Sequence, residues 1–182
     1  MKIIAFTGPM GSGKSTAVQY LKDSNLGKRI ELVKFADPLY DIQEFIYRRV
    51  SPVLKRQEDF VKDRKLLQWL GTEWGRSIYE NVWVDLWKHE VNFMIENYPE
   101  VVVVCDDVRF DNEAETVKKL GGSIIKLVTN KNEERITTNN GIAKHSSELG
   151  IDKKHVDFVI NNNDTLDVFK NDLDAVFKLL LK

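Results

Sequence analysis

Residues 8–15 read Gly8-Pro9-Met10-Gly11-Ser12-Gly13-Lys14-Ser15 and satisfy the pattern G-x-x-x-x-G-K-[ST] at every fixed position. That pattern serves the binding of a nucleotide's phosphate chain. Glycines let the backbone wrap the phosphates with N–H groups pointing inward, and the next helix presents its positive end. Lys14 would reach the β- and γ-phosphates, the Ser15 hydroxyl would ligate Mg²⁺, and Thr16 continues the first turn. The implied ligand is a nucleoside triphosphate with magnesium. A glycine-rich turn with an incidental lysine is the plainer alternative, and the surroundings argue against it. Lys2–Thr7 is a short apolar run, and Ser15–Lys22 carries Ala17, Val18 and Leu21 on one side. Strand, loop and helix form the setting that the motif requires.

Other residues must supply the reaction class, since such loops serve kinases, ATPases, GTPases and motors alike. Val101–Cys105 is followed by Asp106, Asp107 and Arg109. In an open α/β sheet ligands bind at that carboxyl edge, where a carboxylate can hold the hydration shell of Mg²⁺ and an arginine fork can face phosphate. Period-two alternation does not decide which of Asp106 and Asp107 points inward. Asp37 lies at the same edge, and before Pro38 it also reads as a helix N-cap. Arg76 follows an aromatic-rich stretch, so Trp69, Trp74, Trp83 and Arg76 make a candidate acceptor site: a flat apolar slot for a base beside a cation for its phosphate. Tryptophans in a helix are also ordinary core residues. In the polar stretch 129–150, Lys131, Arg135, Lys144 and His145 are placed to close over phosphates and exclude water, unless the stretch is only a solvated loop. Asn130-Lys131-Asn132-Glu133 departs from a guanine-reading motif at its last position. His89 and His155 have no partner pattern, and no Cys/His cluster has zinc spacing.

The elements that must position these groups alternate as in a doubly wound sheet. Glu31–Ala36 reads as a second strand. Leu39, Ile42, Ile46 and Val50 form a helical stripe that Ser51-Pro52 should break. A further stripe, Leu66, Leu67, Leu70, Trp74 and Ile78, runs from Asp63, and another helix covers Val82 to Asn97. Val101–Cys105 is the continuous apolar run of a central parallel strand. Asp111–Leu120 reads as a helix, Ser123–Val128 and Asp157–Ile160 as strands, and Leu166–Leu180 as the last helix. The expected fold is α/β: a three-layer αβα P-loop domain with a five-stranded parallel sheet over residues 1–182. Its core would be 1–37 and 100–182. About sixty residues between strands two and three, roughly 38–99, exceed a simple crossover and suggest a helical substrate-binding insertion, with a lid near 130–149.

The bulk properties fit an ordinary globule: 182 residues, 42% hydrophobic, 30% charged and a net charge of −1. No global basic field points to a nucleic-acid polymer or an anionic membrane. The single cysteine, Cys105, reads as a buried strand thiol. Without a signal-peptide pattern or an apolar run near ~20 residues, the expected location is the cytoplasm.

Taken together, Gly8–Thr16, Phe35-Ala36-Asp37-Pro38-Leu39, Leu67–Thr72 with Arg76, Trp83-Val84, Asp107-Val108-Arg109-Phe110 with Glu113, and His145-Ser146-Ser147-Glu148 resemble the deoxynucleoside monophosphate kinases of tailed bacteriophages. The resemblance spans residues 3 to 150. It implies transfer of a phosphoryl group from ATP, with Mg²⁺, to a deoxynucleoside monophosphate. It further implies Gly8, Met10, Gly11, Ser12, Gly13, Lys14, Ser15 and Thr16 on the donor, and Lys14, Asp107, Arg109 and Arg135 in catalysis. Asp37, Trp69, Arg76, Trp83, Arg109, His145 and Glu148 would serve the acceptor, and Ser15 with Asp106 or Asp107 the metal. Many such kinases dimerise, so a homodimer is admitted. One departure is that the lid carries Arg135 as its sole arginine. The rivals are another small P-loop kinase, similar to dephospho-coenzyme A or phosphomevalonate kinases, and a non-kinase P-loop ATPase or switch.

Overall fold

A computed structural model describes residues 2–24, 27–54, 62–130 and 150–182. Five strands form one sheet: β1 (Lys2–Thr7), β2 (Ile30–Leu32), β3 (Val102–Cys105), β4 (Ser123–Val128) and β5 (Phe158–Asn161). All pairings are parallel, in the order β2-β3-β1-β4-β5. Each central strand sends alternate side chains to opposite faces, and both faces are covered. Ile3, Ala5, Val103, Cys105 and Ile124 enter one core, and Ile4, Phe6, Val102, Val104 and Ile125 the other. This is why the strands read as unbroken apolar runs.

The second core is closed by α1 (Lys14–Asp23) and by α7 (Leu166–Leu180). The first is closed by α5 (Val82–Asn97) and α6 (Asp111–Lys119). Val84, Trp87 and Val91 of α5 lie in this sheet core, with Trp87 stacked 4.5 Å from Phe35 and its Nε1 donating to the Val33 carbonyl at 2.9 Å. The core layer therefore takes in α5, although the sequence assigns residues up to 99 to an insertion. Burial of each such side chain contributes about 1.5–3 kcal/mol.

The remainder of the insertion packs in a separate small core, where Leu39, Leu67 and Leu70 meet Trp83 of α5. It comprises α2 (Asp37–Leu54), α3 (Arg64–Gln68), a π-helical stretch (Trp69–Trp74) and α4 (Gly75–Ile78). Several sequence expectations are corrected here. Ser51-Pro52 does not break α2: the Ser51 hydroxyl donates to the Arg48 carbonyl at 3.3 Å, the acceptor that the missing proline N–H leaves open. Asp37 is not an N-cap: Leu39 and Tyr40 both donate to the Ala36 carbonyl, so Asp37 is already the first helical residue. Strand β2 ends at Leu32 rather than Ala36, because the Phe35 and Ala36 amides turn toward a carboxylate. The stripe from Leu66 to Ile78 does not hold one face. A π turn carries an extra residue and rotates the chain downstream of it, leaving Trp74 42% and Ile78 68% exposed. Among the described residues no helix is long and apolar enough to cross a membrane.

Candidate active site

The phosphate loop links β1 to α1 at the carboxyl edge of the central strand. Its glycines are required by space as well as by backbone angle. Gly8 has φ of 141°, and a Cβ there would lie 2.3 Å from the Leu127 carbonyl oxygen. Gly13, at φ 100°, would clash with Asn162, whose amide donates to the Ser12 carbonyl at 3.1 Å and so buttresses the loop. Lys14 folds back along the loop, donating to the carbonyls of Gly8 at 2.7 Å and Pro9 at 2.8 Å. Burial, then the nearby Arg109 charge, lower its pKa to about 8, against the pull of Asp106 and Asp107. Ser15 and Thr16 are exposed at the start of α1.

The two aspartates after β3 part company. Both oxygens of Asp107 face the β2–α2 turn: Oδ1 accepts the Phe35 amide at 3.1 Å and Oδ2 the Ala36 amide at 2.9 Å, while the Cys105 thiol donates to Oδ1. Asp106 is buried and forms an ion pair with Lys34 at 3.2 Å, and its charge acts on Lys14. The Thr7 hydroxyl donates to the Val108 carbonyl, tying the end of β1 to this segment.

Arg109 is exposed beside them, and its backbone is held by Glu113. Oε2 of Glu113 accepts the amides of Arg109 at 2.8 Å and Phe110 at 3.1 Å, while Oε1 pairs with Arg76. The Arg76 guanidinium also stacks 3.9 Å over the Phe110 ring and donates to the Glu80 carbonyl and the Asn112 side chain. Arg76 thus has two of its three nitrogens engaged, and among the described residues its Nε is buried without a partner. Burial raises the Glu113 carboxyl to about 7 despite the Arg109 amide and the Arg76 charge.

Trp69 and Trp74 are 51% and 42% exposed on the π-helical stretch. Trp83, expected beside them, is instead buried: its Nε1 donates to the Gly71 carbonyl and its ring packs against Gly75. Asp37 is half-buried, with Oδ2 accepting the Lys34 amide at 2.8 Å. Arg135, His145 and Glu148, with Lys131 and Lys144, lie outside the described residues.

Sequence reasoning passed over Lys34, Arg64, Asn162 and the bracing role of Glu113. Glu113 had a signal, since it stands three residues after the residue preceding α6, where a carboxylate bonds back to the helix entry. The others are joined to the loop only through the fold. Among the described residues no group of three or more His, Cys, Asp or Glu is arranged to hold a metal. An exposed hydroxyl at a helix start with one nearby carboxylate fits Mg²⁺, which takes few protein ligands and completes its shell with water and phosphate oxygens.

A phosphate loop at the carboxyl edge of this parallel sheet, touched by a helical insertion through Arg64 and Met10, defines a P-loop α/β fold. The dephospho-CoA kinase of Campylobacter jejuni superposes with a TM-score of 0.52 over 98% of this chain and 96% of its own, at 18% identity. At that identity the likeness speaks for the fold alone. A sequence model described as deoxynucleotide monophosphate kinase matches residues 16–173, and the chain belongs to that family. A protein of Acanthamoeba polyphaga mimivirus, named provisionally for the same activity, is 31% identical over 93% of this chain and 92% of its own. The deoxynucleoside-5'-monophosphate kinase of Escherichia phage T5 is 29% identical over 68% of this chain and 51% of its own.

Proposed function

We propose that this kinase moves the γ-phosphoryl group of ATP to the phosphate of a deoxynucleoside monophosphate in the cleft between the phosphate loop and the insertion. The observation that carries this reading is the charge cluster at the loop's mouth, where Lys14, Arg109 and the Asp106–Lys34 pair converge. Such a cluster suits a reaction whose catalysis is mostly positioning and electrostatic stabilisation. An acceptor phosphate oxygen attacks the γ-phosphorus. The bond from that phosphorus to the β-bridging oxygen breaks, and ADP leaves with the electron pair.

Ser15 and Asp106 would hold Mg²⁺, which neutralises charge on the β- and γ-oxygens when bound. Asp107, expected to share that role, is assigned to positioning because its oxygens hold the Phe35 and Ala36 amides. Trp69 and Trp74 offer apolar surface for the base, and Arg109, braced by Glu113 and Arg76, faces the phosphates. By the family resemblance, Arg135 is proposed to act in catalysis and His145 and Glu148 in acceptor binding. The reading puts the enzyme in deoxynucleotide supply in the cytoplasm, and oligomeric state plays no part in it.

The test is ADP release from ATP and Mg²⁺ across dAMP, dGMP, dCMP, dTMP and their ribo counterparts, with dephospho-coenzyme A and phosphomevalonate alongside. At least one deoxynucleoside monophosphate should raise turnover well above the ATP-only rate, and Lys14→Ala should abolish the increase. No stimulation by any monophosphate would sink the proposal.

A further inference from the structure

Arg64 opens α3 in the insertion, yet its Nη2 reaches the phosphate loop, 2.9 Å from the Met10 sulfur and 54 residues away in sequence. A thioether is a weak acceptor, so this contact leaves the arginine's charge unneutralised. Among the described residues Arg64 has no carboxylate within ion-pair distance, and its side chain is exposed. Its anchorage is firm. Asp63 caps α3 by accepting the Leu66 amide at 3.0 Å, receives the Tyr47 hydroxyl of α2, and donates its own amide to Gln43 of α2 at 3.1 Å.

The place it reaches is identified by Lys14. The ammonium that serves the β- and γ-phosphates rests on the carbonyls of Gly8 and Pro9, directly before Met10. Met10 therefore marks the γ-phosphate end of the loop. A guanidinium held over that end from the acceptor-side insertion is aimed where the transferred group passes between its two oxygens. Its planar fork matches phosphoryl oxygens, and a cation there is worth most while charge spreads over the moving group.

We infer that Arg64 is a catalytic cation supplied by the insertion, which leaves Met10 to bind the transferring phosphoryl group. The inference rests on the kinase reading above. Its test compares wild type, Arg64→Ala, Arg64→Lys and, as a surface-charge control, Arg48→Ala, whose arginine pairs with Glu44. Each is assayed with ATP, Mg²⁺ and the four deoxynucleoside monophosphates, and its fold is checked by circular dichroism and thermal unfolding. Arg64→Ala should keep its Tm and lower kcat on the order of 100-fold with small change in either KM. Arg64→Lys should recover part of that loss, because charge returns without the fork, and Arg48→Ala should match wild type. If Arg64→Ala stays within twofold of wild type, or raises only the KM for the monophosphate, the inference is overturned. Wild type inactive on every monophosphate would instead defeat the kinase reading itself.

Discussion

Arg76 and Glu113 form an ion pair of 2.5 Å with only 11% and 4% of their side chains exposed, and it joins the insertion to the loop bearing Arg109. The second Glu113 oxygen holds the Arg109 and Phe110 amides. Truncating Arg76 leaves a buried carboxylate without its cation, a change that costs about 3–5 kcal/mol in comparable pairs. Arg76→Ala should lose stability in that range by urea unfolding, and its monophosphate KM should rise as Arg109 loosens. Adding Glu113→Gln should restore part of the loss. Additive losses would show that the two residues act independently.

Glu113 also sets a pH dependence. Its folded pKa, raised by burial to about 7, exceeds the unfolded value of 4.5. Between those values the folded state holds a proton that the unfolded chain releases, so this contribution to stability is present at low pH and declines as pH rises to about 7. The stability of wild type relative to Glu113→Gln should therefore fall between pH 4.5 and pH 7, by at most about 3 kcal/mol, and flatten above. Unfolding curves of both proteins at pH 5 and pH 8 check the sign. A difference that grows with pH contradicts the assignment.

Lys14 titrates in the opposite sense for function. With its pKa lowered to about 8 by burial and by Arg109, the free enzyme loses this cation above that pH. Because kcat/KM reports groups of the free enzyme, kcat/KM for ATP should fall above about pH 8. Lys14→Arg, whose guanidinium stays charged, should lack that limb whatever its absolute rate. A wild-type profile flat to about pH 9.5 would refute the prediction.

The two neighbouring aspartates should separate cleanly. Asp107→Ala strands two backbone amides in the β2–α2 turn, at about 1–3 kcal/mol for each group left buried and unbonded. Its main effect belongs in Tm. Asp106→Ala removes a carboxylate facing Lys34 and Lys14, so its main effect belongs in kcat and in the Mg²⁺ concentration needed for half-maximal rate. The reverse pattern would return the metal role to Asp107.

Gly75 and Gly71 offer a packing test within the π-helical region. A Cβ on Gly75 would fall 2.4 Å from the Trp83 ring and 2.8 Å from the Leu70 carbonyl, whereas one on Gly71 meets only the end of Leu39 at 3.1 Å. Gly75→Ala should destabilise by about 1–3 kcal/mol and Gly71→Ala by less than about 1 kcal/mol. Equal effects would mean that the Trp83 ring yields.

The amino-acid sequence by itself determined the phosphate loop, the order of the five strands along the chain (though not the end of β2) and α5, because each is written in contiguous residues. A glycine pattern, an apolar run and a 3.6-residue stripe depend on neighbours along the chain. It also placed Asp106, Asp107 and Arg109 directly after the third strand and marked the long helical stretch between strands two and three, whose last helix packs into the sheet core. What only the tertiary structure decided are relationships between distant segments. Asp107 turned to amides 71 and 72 residues away, leaving Asp106 with Lys34. Arg76 found Glu113, 37 residues on, and Arg64 crossed to Met10. The π turn moved Trp74 and Ile78 off the expected face while Trp83 went into the core. A residue's type states what chemistry it can perform. Its partner is set by packing and by the need to satisfy buried polar groups, and both arise only when remote parts of the chain meet.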